Sequence, residues 1–245
     1  VRIDRASFSL KNGLRLHRVK ALPKRIAAGA LVSADEVCVN LSFKPGLPLN
    51  ERVQGVSFKN IALPSLPPPG MFKEKKDPEP RKEMPDLAPF PLSLEAVNIL
   101  GVKADQVSAM VNIDSNRILV SDLSVKWPDK AFAMSVNGHA TLDLSNRTVA
   151  GKVSGQALPH NIVPLLQELH ACGAVKQIEY FTDIKRPVNA DFDISVNIDN
   201  SDFAFALDLD VGPCAYRGVP MEFAKGRIVA SETNANTVVV IHPLS

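Results

Sequence analysis

Six acidic residues crowd the stretch between residues 191 and 210, and carboxylates at this density are the first candidates for chemistry in the sequence. They are Asp191, Asp193, Asp199, Asp202, Asp208 and Asp210. A calcium-binding loop places a glycine at its sharp bend and ends on a bidentate glutamate, and the segment DNSDFAFALDLD contains neither. Carboxylates two residues apart on a strand point to the same face of a sheet. We therefore predict a solvated acidic surface, without a metal and without a catalytic carboxylate pair.

The histidines are the next candidates, because imidazole serves both as a metal ligand and as a general base. They are scattered along the chain at His17, His139, His160, His170 and His242. His160 and His170 flank one segment, but a spacing of ten residues does not form a site on its own. The sequence also lacks a glycine-rich phosphate loop and a Gly-x-Ser-x-Gly nucleophile elbow. We predict that the protein is not an enzyme and uses no cofactor.

The cysteines Cys38, Cys172 and Cys214 are odd in number and do not have the spacing of metal ligands. One interpretation is that all three are small buried hydrophobic residues. The other is a single disulfide with one remaining thiol. Cysteine usage alone therefore leaves the redox compartment open.

The charged residues almost balance, since 28 Lys and Arg face 26 Asp and Glu for a formal net charge of +2. This balance gives no basic surface for nucleic acid, which we exclude as a partner. No stretch reaches the roughly 18 apolar residues that a membrane span needs. The chain begins at Val1 rather than at a methionine, which is compatible with a part of a longer polypeptide.

Apolar and polar residues alternate through most of the chain, and this period of two predicts a mainly β protein. Short connections between the successive strands predict antiparallel neighbours in a meander. The clearest hairpin spans residues 191–211, where large apolar residues alternate with acidic or small ones. The apolar set on one face of this hairpin comprises Phe192, Ile194, Val196, Ile198, Phe203, Phe205, Leu207 and Leu209. We expect one oily and one acidic face.

One amphipathic helix is predicted near residues 160–172. Ile162, Leu165, Leu166 and Leu169 follow the i, i+3, i+4, i+7 template, and Gly173 is well placed to end the helix. An amphipathic helix must lie on an apolar surface. It therefore either fills or caps a sheet face as a structural plug, or covers an apolar groove as a mobile gate.

The proline-rich, charged segment 64–91 interrupts the alternation and predicts a module boundary. Prolines do not donate to a strand ladder, and charged residues resist burial. We accordingly expect an N-terminal β module over residues 1–63, a linker over residues 64–91, and a second β module over residues 92–245.

The order of these features resembles the AsmA-like family of bacterial envelope proteins, which includes the TamB- and YhdP-type members. In the first module the similarity lies in FSLKNGLRLHRVKALPKR and in LVSADEVCVNLSFKPGLPLNERVQGVSFKNIALPSLP. In the second it lies in strands that repeat a "G...ld" ending before a leucine-rich helix, as in VNGHATLDLSNRTVAGKVSGQALPHNIVPLLQEL. The charged segment 64–91 departs from the family pattern.

The resemblance implies periplasmic antiparallel sheets that curl into an open groove or half-barrel with an apolar inner face. It also implies an N-terminal inner-membrane anchor preceding these residues, no cofactor, and transport of phospholipid between the inner and outer membranes. The eight apolar residues of the 191–211 hairpin are then the expected lipid contacts. Each acyl CH₂ moved onto an apolar face contributes about 0.8 kcal/mol, so lipid can be held without a polar motif.

The alternative function comes from the ordinary packing of β-sheets, in which two oily faces bury each other in a sandwich. A closed sandwich would act as a structural or interaction module that assists outer-membrane assembly, with envelope proteins as partners. The two hypotheses differ in whether the apolar strand faces meet another sheet or stay open.

Overall fold

The chain is mainly β in a computed structural model, which confirms the predicted structural class. Contacts divide it into two compact units, Val1–Lys126 (unit 1) and Trp127–Ser245 (unit 2). The residues that the structure describes are 1–11, 13–21, 32–64, 85–99, 102–127, 135–158, 179–184, 186–197, 202–233 and 236–244. No helix within these ranges combines the length and the apolar composition of a membrane span.

The described part of unit 1 consists of paired strands and a 3₁₀ turn at Leu49–Glu51. Its strands are β1 (Arg5–Ser9), β2 (Gly13–Ala21), β3 (Val32–Leu41), β4 (Val53–Lys59), β5 (Ala62–Leu63), β6 (Leu87–Ile99), β7 (Val102–Asp114) and β8 (Arg117–Lys126). They pair in the order β1-β2-β3-β4-β6-β7-β8, and the short β5 pairs with β3 and β6.

The turn between β1 and β2 depends on a glycine. The register pairs Ser9 with Gly13, so three residues connect the strands, and Gly13 has a φ of 69°. Glycine adopts this left-handed conformation without steric cost. A Cβ on Gly13 would run into the carbonyl oxygen of Val39 on β3. Glycine is therefore required both by the turn and by the neighbouring strand.

The prediction of antiparallel neighbours is wrong at β6, which runs parallel to both β4 and β5. Val56 of β4 lies opposite Leu92, and Ala62 of β5 lies opposite Asn98. Parallel strands need a crossover of a dozen or more residues, and the chain between Leu63 and Leu87 supplies that length. The sheet of unit 1 is consequently mixed.

The segment predicted as a linker, 64–91, overlaps the start of β6 at Leu87, and residues 65–84 lie outside the described part of the chain. Pro89 and Pro91 fall in β6 before its register with β4 begins at Leu92. Their missing N–H groups therefore cost no hydrogen bond to β4. The division of the chain into two compact units falls between Lys126 and Trp127, and the module boundary at residues 64–91 stays a prediction.

Unit 2 contains a main sheet and a small sheet. Its strands are β9 (Ser135–Asp143), β10 (Thr148–Ala157), β11 (Phe181–Thr182), β12 (Val188–Asn197), β13 (Phe203–Val211), β14 (Cys214–Tyr216), β15 (Val219–Met221), β16 (Ala224–Thr233) and β17 (Asn236–Leu244). The main sheet has the order β9-β10-β12-β13-β16-β17, and the small sheet has the order β11-β14-β15. Every pairing given for these strands is antiparallel, as predicted from the short connections between successive strands.

The amphipathic helix predicted near 160–172 is not seen, since Ile162, Leu165, Leu166 and Leu169 lie outside the described residues. The last residue of β10, Ala157, pairs with Val188 at the start of β12, and β11 follows the segment at Phe181.

The buried core of unit 2 is small and lies at one end of the main sheet. Val188, Val211 and Cys214 form its centre. Partly buried side chains pack around this centre: Phe181, Ile184, Leu209 and Met221. The small sheet therefore packs on the main sheet at the end where β12 begins and β13 finishes.

Two of the three cysteines are described, and both are free and buried. Cys38 lies on β3 and Cys214 on β14. A disulfide that joins these two is thus not formed, and both fit the interpretation as small core residues. Cys172 lies outside the described residues.

Candidate functional site

The central feature of unit 2 is an apolar face built on the β12–β13 hairpin. The register places Phe192 opposite Leu207, Ile194 opposite Phe205, and Val196 opposite Phe203. Residues directly opposite each other in an antiparallel pair share a face of the sheet. Leu209 joins the same face opposite Ala190. Seven of the eight predicted contact residues are thus brought together, and the eighth, Ile198, lies outside the described residues.

Neighbouring strands widen this apolar face beyond the predicted hairpin. On one side β10 places Val153 opposite Phe192 and Val149 opposite Val196, and β9 adds Leu142 opposite Val149. On the other side β16 places Ile228 opposite Leu207. The face therefore crosses five strands. With about 4.8 Å between neighbouring strands, its width is roughly 19 Å. Along β12 the face runs from Val188 to Val196, or about 26 Å at 3.3 Å per residue.

The apolar face also contains positions without a side chain. On β9, Gly138 lies opposite Val153. On β10, Gly151 lies opposite Ile194 and Gly155 lies opposite Ala190. A Cβ on Gly138 would collide with the backbone carbonyl of Lys152. Because these positions have no side chain, the apolar surface is recessed at β9 and β10 relative to the aromatic side chains of β13.

The side chains in the middle of the apolar face are only partly buried. Phe192, Ile194, Phe205 and Leu207 all retain exposed surface, whereas Val188 and Val211 at the end under the small sheet are each 8% exposed. In an ordinary sandwich the middle of the sheet would be its most buried part. Burial here is instead confined to one end in the described part of the unit. The face is closed at the Val188 end and more accessible toward Val196.

Aromatic rings form the centre of the apolar face. The ring centroids of Phe192 and Phe205 lie 5.7 Å apart, and those of Phe203 and Phe205 lie 6.2 Å apart. The second pair is nearly parallel, with 15° between the ring planes. These rings present flat apolar surface rather than hydrogen-bonding groups.

The opposite face of the main sheet is polar and carries the acidic residues. Three aspartates pair with cations across the strands, with Asp193 3.5 Å from Lys152, Asp210 3.1 Å from Lys225, and Asp208 3.8 Å from Arg227. All six side chains stay between 43% and 63% exposed. Exposed pairs of this kind contribute little stability. The described residues contain no group of three acidic, histidine or cysteine side chains suited to a metal ion.

A shallow hollow of about 500 Å³ lies on this polar face, where Asn137, Gln156, Asn189 and Asp191 contribute to the lining. Amide, hydroxyl and carboxylate groups line it, and they would lose their hydration if an acyl chain entered. The hollow is therefore unsuited to an apolar ligand.

The closest approach to a catalytic constellation is in unit 1, where the cross-strand register brings Cys38, Glu36 and His17 together. The Cys38 thiol donates to Glu36 Oε1 at 3.2 Å, and His17 Nδ1 lies 3.8 Å from Glu36 Oε2. Burial, reinforced by this hydrogen bond, raises the pKa of the Cys38 thiol. A nucleophilic cysteine needs a lowered pKa. The geometry thus keeps the thiol protonated. Because Glu36 and Cys38 are two residues apart on β3, the sequence alternation could have placed them on the same face of the sheet.

No protein-family model matches the chain, and comparisons with curated proteins and with solved structures also found no match. The resemblance to the AsmA-like family accordingly stays a prediction from the sequence motifs.

Proposed function

We propose that the protein binds the acyl chains of phospholipid on the apolar face of unit 2 and transfers lipid between the inner and outer membranes of a bacterial envelope, without catalysis. The observation that carries this proposal is the incomplete burial of Phe192, Ile194, Phe205 and Leu207 in the middle of a broad apolar face. Contiguous apolar surface of this size on a protein marks an interaction site.

The dimensions of the face suit a lipid chain. The hydrocarbon core of a bilayer is about 30 Å thick, so one leaflet contributes about 15 Å of acyl chain. The apolar face is roughly 26 Å long, and an acyl chain fits along it. Each buried CH₂ contributes about 0.8 kcal/mol, and the side chains beneath it gain in the same way by leaving water.

The closed end of the face gives the bound chain a direction. The cluster of Val188, Val211 and Cys214 blocks the end beneath the small sheet. An acyl chain lying on the aromatic centre would therefore place its headgroup toward the Val196 end or over the edge strands.

The periplasmic setting and the inner-membrane tether of the proposal rest on the AsmA-like resemblance. The competing function is a structural or interaction module that assists outer-membrane assembly. In that case the partly exposed face of Phe192 and Phe205 is the contact surface for an envelope protein, because half-buried aromatic faces are also typical of protein interfaces.

A pair of matched double variants tests the proposal. Ile194→Asp with Leu207→Asp places two carboxylates on the apolar face, and Ala150→Asp with Ala204→Asp places two on the exposed polar face of the same sheet. The expected result is that both variants fold, while binding of a fluorescent phospholipid falls at least about tenfold only in the first, a loss of about 1.4 kcal/mol.

Thermal unfolding and lipid titration give the deciding measurements. Loss of the folding transition in the Ile194 and Leu207 variant would mean that the face is a closed core, because buried unpaired carboxylates cost several kcal/mol each. Unchanged lipid binding by a folded variant would equally end the proposal. Native mass spectrometry of the wild-type protein, purified without harsh detergent, should show co-purified phospholipid.

A further inference from the structure

We propose that unit 1 holds a phospholipid with a zwitterionic headgroup, its acyl chain on one face of the sheet and its headgroup on charged side chains that border this face. This second binding site lies outside the function proposed for unit 2, and it rests on that function only for the class of ligand. The acyl-chain surface is called the unit 1 face below, and the charged rows beside it are called the polar border.

The unit 1 face consists of two neighbouring register rows that cross β2, β3, β4, β6 and β7. One row contains Leu14, Val39, Val56, Leu92 and Ala109. The other row contains Leu16, Val37, Phe58, Leu94 and Val107. Residues directly opposite each other share a face of the sheet, so these apolar side chains are contiguous. Of this set Val37 and Ala109 are buried, and all the others retain exposed surface.

The polar border follows directly along the strands on the same face. Its first row contains Arg18, Asp35, Asn60, Ala96 and Asp105, all of them exposed and each two residues away from a member of the unit 1 face. Its second row contains Lys20, Ser33, Ala62, Asn98 and Lys103, which pair across the strands. Side chains two residues apart on a strand lie on the same face. This face of the sheet therefore changes from apolar to charged along its length.

The opposite face of the sheet shows the reverse change at the same level. There a polar row contains His17, Glu36, Lys59, Glu95 and Gln106. Two residues farther along each strand follow Val19, Ala34, Ile61, Val97 and Ala104. Val97 is 4% exposed and Ala34 6%. Uninterrupted alternation would give one apolar face over the whole sheet, so the shift by one residue ends the unit 1 face at a defined level.

The backbone is strained at this level. Arg18, Asn60 and Ala96 of the polar border have φ angles of 51°, 52° and 51°. Residues other than glycine adopt a positive φ at an energetic cost. No residue of β3 or β7, which the structure describes throughout, has a positive φ, so the alternation of these two strands fixes the face of each row. Strained residues of this kind cluster at ligand sites and other functional regions.

The polar border carries charges of both signs, as a zwitterionic headgroup does. Its cations are Arg18, Lys20 and Lys103, and its anions are Asp35 and Asp105. Asp35 accepts a hydrogen bond from the Asn60 amide at 2.9 Å, which leaves the charge of the carboxylate in place. Arg18 lies 3.8 Å from Asp4, and its side chain is 75% exposed. An exposed pair at this distance is weak, so a lipid phosphate can compete for the guanidinium.

Apolar rows that end at charges of both signs match the two parts of a phospholipid. The acyl chain lies on side chains such as Leu16 and Leu94 and removes their apolar surface from water. The phosphate then reaches Arg18, and an ammonium group reaches Asp35. An anionic headgroup without an ammonium group brings its phosphate close to the carboxylates without a compensating cation. Phosphatidylethanolamine should accordingly bind unit 1 more tightly than phosphatidylglycerol.

Two soluble probes with the same labelled short acyl chain test this selectivity on the full chain, one of them phosphatidylethanolamine and the other phosphatidylglycerol. Native mass spectrometry should show two phosphatidylethanolamine molecules per wild-type chain and one phosphatidylglycerol molecule, because the apolar face of unit 2 takes both lipids. The Ile194→Asp and Leu207→Asp variant should keep one phosphatidylethanolamine molecule and lose phosphatidylglycerol. The phosphatidylglycerol probe therefore reports the unit 2 face alone.

Reversing the anions of the polar border tests the headgroup contact. In the Ile194 and Leu207 variant, Asp35→Lys with Asp105→Lys makes the charges of the border wholly cationic and should lower the ratio of phosphatidylethanolamine to phosphatidylglycerol affinity at least about tenfold. Glu51→Lys with Glu222→Lys is the matched control, because it changes the net charge equally at exposed positions outside the border. Thermal unfolding verifies that both variants fold. An unchanged ratio in the folded border variant would overturn the proposal.

A second measurement needs no substitution. A phosphatidylethanolamine with a photoreactive diazirine in its acyl chain is irradiated with the wild-type protein, and the labelled peptides are identified by mass spectrometry. Peptides that contain Leu16, Phe58 or Leu94 should carry the label. Labelling confined to unit 2 would overturn the proposal, whether or not the border variants fold.

The outcome is separable from that of the function proposed for unit 2. If phosphatidylglycerol binding is unchanged in the Ile194 and Leu207 variant while unit 1 peptides are labelled, the proposed function fails and the unit 1 site stands. If that variant loses both lipids, the unit 1 site fails and the proposed function stands.

Discussion

Phe192 on β12 and Phe205 on β13 lie diagonally across the strand pair with ring centroids 5.7 Å apart, and neither ring is buried. Their contact stabilises the hairpin from one side only. The outer side of each ring keeps exposed surface.

Phe205→Ala should lower the free energy of unfolding by about 2 kcal/mol or less, because a half-buried ring loses only part of the 3–5 kcal/mol of a core phenylalanine. Phe90→Ala is the matched control, since Phe90 is 5% exposed and should lose about 3–5 kcal/mol. Urea unfolding at equilibrium measures both. Equal losses for the two variants would show that the apolar face is fully covered.

Gly13→Ala should destabilise unit 1 by about 2–4 kcal/mol, since the new Cβ meets the Val39 carbonyl and the backbone keeps a positive φ. Gly46→Ala separates the two causes. Gly46 also has a positive φ, of 81°, but no atom lies within 4 Å of the added Cβ. Its cost should be only about 1 kcal/mol. Thermal unfolding of the two variants measures both losses, and similar losses would contradict the β2–β3 register that places Gly13 beside Val39.

Glu36 should stabilise unit 1 in a pH-dependent way. The hydrogen bond from the Cys38 thiol, helped by nearby cations, holds the pKa of this carboxyl below its ordinary value. A lowered pKa in the folded state means that the stabilisation is complete above the ordinary pKa and is lost as the pH falls through the lowered one. The difference in unfolding free energy between wild type and Glu36→Gln should therefore shrink on acidification. A difference that stays constant with pH would contradict the Cys38–Glu36 contact.

The thiols of Cys38 and Cys214 should resist modification in the folded protein. Burial raises the pKa of Cys38, and both side chains are less than 10% exposed. In a Cys172→Ser background, an aromatic disulfide reagent should react with the native protein roughly a hundredfold or more slowly than with urea-unfolded protein, because reaction needs local opening. Fast reaction of even one thiol per native protein chain would indicate an activated cysteine and would make a catalytic role for Cys38 worth testing.

The alternation of residues 192–209 was sufficient to predict the apolar face, because a period of two fixes which side chains lie together regardless of the neighbouring strands. The contributions of β10 and β16 were harder to find. Several positions on the apolar face of these strands are glycines, which add no hydrophobic side chain: Gly151, Gly155 and Gly226. The alternation of apolar and polar residues around Val153 and Ile228 is therefore weak.

Long-range pairing was not predictable from the same signal. Alternation does not encode which strand lies beside β4, and the parallel match of Val56 with Leu92 depends on the crossover between them. The stack of Arg217 on Tyr180 has the same origin. It joins residues 37 positions apart that meet only because β11 pairs with β14.

The pairing of β10 with β12 has a consequence for the order in which unit 2 folds. The β12–β13 and β9–β10 hairpins are local and can close within microseconds, whereas Ala157 and Val188 are 31 positions apart and meet later. During that interval the phenylalanines of the early hairpin are exposed on a sheet with open edges, a state prone to self-association. Rapid capture of the nascent hairpin by a lipid or a holdase chaperone would protect the chain through this kinetic window.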